Sequence, residues 1–102
     1  MSDLKILQEV AEDLSEAANW YDENGYLGLG DRFIEAFYSY IPHILDRGEI
    51  YRIVYSDFRK ILLQPFPYFL FYRYHGDLLV VSLVISAVRK PSLIRRALQE
   101  RK

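Results

Sequence analysis

Residues 50–88 read IYRIVYSDFRKILLQPFPYFLFYRYHGDLLVVSLVISAV, and this stretch decides the fold. It holds four segments rich in β-branched, aromatic and leucine residues: Ile50 to Tyr55, Arg59 to Leu63, Tyr68 to Tyr74 and Leu78 to Val88. That composition suits a pleated, half-buried surface and predicts four strands. The separators are turn-like: Ser56-Asp57, then Pro65 and Pro67 around Phe66, then His75-Gly76-Asp77, where glycine permits the positive φ of a tight hairpin. Connections this short join antiparallel neighbours. The last apolar run is eleven residues broken by Ser82 and Ser86. It falls short of the roughly 20 residues that span a bilayer and is better read as a buried strand.

Upstream the period becomes helical. Between Glu9 and Asn24, Val10, Leu14, Ala17, Ala18 and Tyr21 share a face, with acidic residues opposite and Gly25 as a stop. A second helix is expected after Gly28, because Leu29, Phe33, Ala36, Phe37, Tyr40 and Ile44 keep the spacing. Pro42 removes an internal hydrogen bond and clashes with the preceding turn. A kink, or an end and restart, is expected there before Asp46-Arg47-Gly48 closes the segment. Residues 4–7 fit either a first strand or the start of the first helix. The tail from Ser92 to Lys102 is basic and predicts a short helix capped by Ser92 after Pro91. Helices grouped before an antiparallel meander define an α+β domain, with two N-terminal helices on one face of an antiparallel sheet.

A chain of 102 residues supports one core, so residues 1–102 form a single domain, with 89–102 as its basic C-terminal tail. Hydrophobic residues at 51% and aromatics at 16% argue against disorder. Cysteine is absent, which excludes disulfides and thiolate sites and fits a reducing compartment. His43 and His75 cannot build a zinc site alone, and no cofactor or metal is expected. No basic region followed by an apolar core begins the sequence, so a cytoplasmic protein without a membrane partner is expected. The net charge of −1 hides an asymmetry: residues 1–49 carry three Lys/Arg against eleven Asp/Glu, and residues 50–102 carry ten against three. The basic half can steer toward an anionic partner, phosphate or acidic peptide, although the two halves can also simply neutralise each other. The whole chain lacks the cationic excess of a general nucleic-acid binder.

Four features then stand in order: Asp13-Leu14 followed by Trp20-Tyr21; Gly28-Leu29-Gly30 leading into Arg32-Phe33; Phe58-Arg59-Lys60 to Leu63 with Phe66-Pro67-Tyr68; and a final strand ending Arg89-Lys90-Pro91. With Phe71-Tyr72-Arg73 between them, they resemble the RelE/ParE toxin superfamily, the plasmid-stabilisation toxins, over nearly the whole chain and closest to ParE-like members. The resemblance implies a βααββββ order and a strongly bent antiparallel sheet. It also implies a bacterial cytoplasmic toxin of a type II toxin-antitoxin system, held by a cognate antitoxin and inhibiting a target, usually DNA gyrase in ParE-like members. Many members end the last strand with His-x-x-Arg-x-Pro, where this chain has Ser86-Ala87-Val88-Arg89-Lys90-Pro91. The histidine is missing.

The alternative activity within the resemblance is ribosome-dependent mRNA cleavage, with ribosome and mRNA as partners. It needs cations to hold the scissile phosphate and groups that move protons. Arg59, Arg73 and Arg89 are the candidates for the first task. Proton transfer is poorly supplied, since Ser86 replaces the histidine and no tyrosine lies beyond Tyr74. A binding toxin is therefore the leading expectation, with an inert antitoxin-binding module as a third. Target or antitoxin contact is expected of Arg59, Lys60, Arg89, Lys90, Arg95 and Arg96. Each taken alone also fits a solvated surface cation. Trp20, Tyr21, Phe66 and Tyr68 are better read as core than as base-stacking platforms. His75 is read as a turn residue, and His43, beside Pro42, as exposed. Some of Tyr51, Tyr55, Tyr72 and Tyr74 should reach a partner surface. Gly28-x-Gly30 follows a helix and lacks a third glycine, which argues against dinucleotide binding. The sequence leaves open whether two copies pair as a homodimer or assemble with the antitoxin as a heterotetramer.

Overall fold

The computed structural model describes residues 3–102. Its elements run β1 (Asp3–Ile6), α1 (Gln8–Asn24), α2 (Leu29–Arg47), a 3-10 turn (Gly48–Ile50), β2 (Ile53–Tyr55), β3 (Phe58–Leu62), β4 (Tyr68–His75), β5 (Leu78–Ser86) and α3 (Pro91–Glu100). The architecture is α+β, with two N-terminal helices packed on a five-stranded sheet of order β1-β5-β4-β3-β2. Strands β2 to β5 pair antiparallel as expected. The departure from a wholly antiparallel sheet is β1, which runs parallel to β5 with Asp3 opposite Leu78 and Ile6 opposite Val81. A parallel partner needs a crossover, and α1 and α2 with the strands after them supply it.

The helical hairpin is set by the Gly28-x-Gly30 pair. Gly28 has φ 99°, in the left-handed region that glycine enters without strain. A Cβ at Gly30 would fall on the Ala18 carbonyl oxygen and within 2.9 Å of Asp22 Oδ2, so glycine lets α2 close on α1. The Asp22 carboxylate accepts the Gly28 N–H at 3.2 Å and the Gly30 N–H at 2.8 Å, covering donors that the start of α2 leaves open. Helix α2 then continues through Pro42 without an end and restart. Both Pro42 and Tyr38, whose carbonyl loses its partner, are exposed, so water can satisfy that group.

Alternation along the strands builds two cores. Leu70 and Tyr72 of β4 and Leu79, Val81 and Val84 of β5 meet Val10, Leu14, Phe33, Phe37 and Ile44 of the helical hairpin. Phe58, Phe71 and Leu83 point the other way and are covered by Ile94 and Leu98 of α3. The helices thus cover both faces, and the C-terminal tail is a structural layer. Its helix is not capped by Ser92: Pro91 opens it, where its fixed φ suits the first turn, and Lys90 is the N-cap residue without a side-chain bond. Strand β2 begins three residues later than its composition predicts. Gly48 is pressed against the Tyr72 ring, and the chain turns there in 3-10 form.

One residue breaks the alternation of β5. Phe71 pairs with Leu83 and Tyr72 with Val81, which leaves Ser82 as a bulge with its side chain fully buried. Beyond that point β1 has ended, and two side chains take over the edge. Asp13 Oδ2 accepts the Val84 N–H at 3.1 Å, and Arg101 Nη1 donates to the Ser82 carbonyl at 3.0 Å. Arg101 also forks onto both oxygens of Asp13, Nη1 at 2.8 Å and Nη2 at 3.0 Å. The side chains are 13% and 18% exposed, so the pair is nearly dry. Asp13→Ala strips the acceptor from Val84 and leaves Arg101 unpaired. It should cost about 2–4 kcal/mol in urea denaturation. An Asp13→Ala/Arg101→Met double variant should lose less than the sum of the two single changes.

Candidate functional site

The cations of the basic half are separated by strand alternation. On β3, Lys60 shares the α3 side with Phe58, whereas Arg59 turns to the side of α1 and α2 with Ile61. Arg59 Nε donates to the Tyr51 carbonyl at 2.7 Å, and its guanidinium lies 5.3 Å from the Tyr74 ring centroid. His43, expected to be exposed, is half-buried, and its Nε2 hydrogen-bonds the Tyr51 hydroxyl at 2.6 Å. Together they tie the segment between α2 and β2 to the helical face. Arg73 occupies the α3 side of β4, 5.2 Å from the Phe58 ring centroid. Its Nε approaches Asp57 Oδ2 at 3.3 Å, close enough for charge pairing but without hydrogen-bond alignment, because Nε, Nη1 and Asp57 Oδ1 are buried without partners.

Three of the expected contact residues converge. Lys60 from β3, Arg89 from the turn after β5 and Arg95 from α3 line one open cleft of about 350 Å³. Phe69, Phe71 and Ile94 form its floor, and Val54 and Tyr55 of β2 close one side. The Lys60 ammonium sits 4.1 Å from the Phe69 centroid, over the ring. The Tyr55 hydroxyl accepts a hydrogen bond from the Gln99 side chain. Lys90 and Arg96 are exposed on the same segment but do not line the cleft. Arg59 and Arg73 do not line it either, so Arg59, Arg73 and Arg89 are not assembled around one point.

Ser86 shapes the turn that presents Arg89. Its carbonyl accepts the Arg89 N–H at 3.3 Å, and its hydroxyl accepts the Val88 N–H at 3.4 Å. The strand therefore stops at Ser86, two residues before its apolar run ends. Arg89 also borders a second groove, about 480 Å³, with Trp20 and Tyr68. Trp20, read as core in the sequence, is 54% exposed there, while Tyr21 beside it is buried against Phe66 at 4.9 Å between centroids. The helical spacing of Val10, Leu14, Ala17 and Tyr21 puts Tyr21 on the buried face and leaves Trp20 beside it.

The cleft-lining residues include no carboxylate and no imidazole. The arrangement can hold an anion beside apolar groups, and only the Tyr55 phenol, already engaged by Gln99, is available to exchange a proton besides the cations. Phe69 and Ile94 carry no functional signal in the sequence beyond sharing the alternation or helical face of the cations. No known family profile matches this chain. A search among curated proteins finds no significant relative.

Tyr72 is fully buried, and its hydroxyl donates to the Gly48 carbonyl at 2.6 Å. Burial raises its pKa well above the ordinary phenol value, with Tyr74 adding to the effect and Arg59 opposing it. Burial also raises Tyr21, Tyr68 and Tyr74. A raised folded pKa means that the fold holds the neutral phenol. The associated stability is complete below the unfolded value near ~10 and is lost as pH rises toward the folded values. The urea midpoint should stay level from about pH 7 to 9 and fall above about 10. Tyr72→Phe should lower stability at neutral pH by about 1–2 kcal/mol and flatten the alkaline decline.

Proposed function

We propose that this chain is the toxin component of a type II toxin-antitoxin system, ParE-like, that acts by binding its target through the basic cleft. The observation that carries the reading is the convergence of Lys60, Arg89 and Arg95 on one apolar-floored cleft that no carboxylate or imidazole lines. Such a surface rewards contact with an anionic partner and lacks the usual groups for general base work. The order of elements agrees with the one that the sequence resemblance implies, and the same resemblance names DNA gyrase as the target and an antitoxin as the restraint. A cytoplasmic location belongs to this proposal. Among the described residues, no helix is long and apolar enough to cross a membrane.

Ribosome-dependent mRNA cleavage is less well supported. Its phosphate-holding trio would be Arg59, Arg73 and Arg89, yet Arg59 lies across the sheet and Arg73 is paired with Asp57. An inert module of the same fold would keep the cleft but harm nothing.

Induced expression without an antitoxin should arrest growth, and the purified protein should inhibit gyrase supercoiling. A Lys60→Glu/Arg89→Glu/Arg95→Glu variant should lose both effects while keeping its far-UV spectrum, because Arg89 and Arg95 are exposed and Lys60 is only half-buried, so charge reversal weakens association more than folding. Codon-positioned cuts in mRNA in a translation extract would overturn the binding mechanism. Normal growth at full expression would overturn the toxin assignment.

A further inference from the structure

Arg73 of β4 carries donors that the chain does not answer. Its side chain is 16% exposed, and its Nε and Nη1 are buried with no acceptor of the chain in hydrogen-bond geometry. Asp57 approaches nearest at Nε. The Nη1–H bonds leave the planar guanidinium along other edges than the Nε–H, so one carboxylate beside Nε cannot serve both. A buried charged donor without an acceptor costs more than an ordinary lost hydrogen bond, and a partner from outside the chain relieves that cost.

Arg73 lines a cavity of about 230 Å³ that shares no residue with the basic cleft, and neither Arg59 nor Arg89 borders it. Its floor is a row across three strands: Lys5 of β1 lies opposite Val80 of β5, and Val80 lies opposite Arg73 of β4. Leu79 and Val81 face the helical hairpin, so alternation turns Val80, and with it Lys5 and Arg73, to the α3 side. Helix α3 ends at Glu100, and Arg101 and Lys102 beyond it form a wall. Glu9 and Glu100 also border the cavity, but both act on Arg101, which already forks onto Asp13. Among the described residues, no carboxylate stands within ion-pair distance of Lys5 or Lys102. Unmet positive charge from β1, β4 and the segment after α3 thus converges on one small space.

Donors arriving from three elements suit a tetrahedral oxyanion, whose oxygens face several ways, better than a planar carboxylate with two. The volume lies below the roughly 300–1,000 Å³ of pockets that enclose drug-sized molecules, so the cavity encloses the oxyanion group itself and leaves any larger attachment outside. We propose that this cavity binds a phosphate-type oxyanion, held by Arg73 and Lys5 from the sheet and by Lys102 from beyond α3. Bound there, the anion ties the end of α3 to β1 and β4, in addition to the Asp13–Arg101 pair. Because Ile94 and Arg95 of α3 line the basic cleft, phosphate steadies that wall from a separate site.

The test is an amide NMR titration of the full chain with sodium phosphate at fixed ionic strength, with sodium acetate and adenosine monophosphate as the other arms. Phosphate should shift the amides of Lys5, Arg73 and Lys102 saturably, leave those of Lys60 and Arg95 in place, and slow amide exchange across Ile94 to Leu98. Its Kd should rise at least about tenfold in Arg73→Gln. Since that change also removes a packed side chain, Lys5→Glu, at an exposed position of β1, serves as the second variant, with a rise of at least about fivefold. Glu100→Gln, which removes a like charge, should tighten binding about twofold to threefold. Lys60→Glu, in the basic cleft, should change it less than about twofold. Adenosine monophosphate binding as tightly as phosphate assigns the site to a phosphate ester, its exclusion to free phosphate, and either result supports the site. Absence of saturable shifts, shifts centred on Lys60 and Arg95, acetate binding as tight as phosphate, or indifference to both Arg73→Gln and Lys5→Glu would each overturn the proposal.

Discussion

The ion pair between Asp13 and Arg101 closes this fold. Strand β5 outruns its neighbour: β1 ends at Ile6, opposite Val81, and the bulge at Ser82 then turns the following backbone toward an open edge. An exposed edge of this kind invites pairing with another chain. One carboxylate from α1 and one guanidinium from beyond α3 satisfy the Val84 N–H and Ser82 C=O that β1 leaves unpaired and bond to each other across the gap. Hydrogen bonding to Asp13 raises the Arg101 pKa against the opposing effect of burial, so the guanidinium keeps its charge.

The clamp holds a second layer in place. Helix α3 buries only Ile94 and Leu98 deeply, little anchorage for a ten-residue helix. Fixed at its far end by Arg101, it lies over Phe58, Phe71 and Leu83 and turns a half-covered sheet into one enclosed on both faces. The same placement makes one wall of the basic cleft, since Ile94 and Arg95 belong to α3 and Arg89 to the turn that leads into it. The basic cleft is thus a product of tertiary closure.

Much of the framework is legible in the sequence. The helical period of Val10, Leu14, Ala17 and Tyr21 and the hairpin around Gly76 are local signals, and both elements fall within a few residues of their expected bounds. The parallel pairing of β1 is not legible, because four residues carry no periodicity and the partner strand lies at the other end of the chain. The clamp is equally hidden: Asp13 stands out in the sequence as part of the Asp13-Leu14 feature, but nothing there points to its partner, 88 positions away. For the cleft, residue types can be read but convergence cannot. Arg59 and Lys60 are neighbours in the chain, yet a period of two already sends them to opposite faces. Only the fold brings Lys60 to Arg89 and Arg95.

Amide hydrogen exchange of the native chain against Arg101→Ala tests the central claim most directly, because it reports the opening of each element separately. If the clamp holds α3 and with it the cleft wall, the amides of Ile94 through Leu98 should exchange about a hundredfold faster in the variant, as loss of a buried charge-assisted pair requires, while those of Phe33 through Ile41 in α2 stay protected. Unchanged protection across α3 would contradict the account.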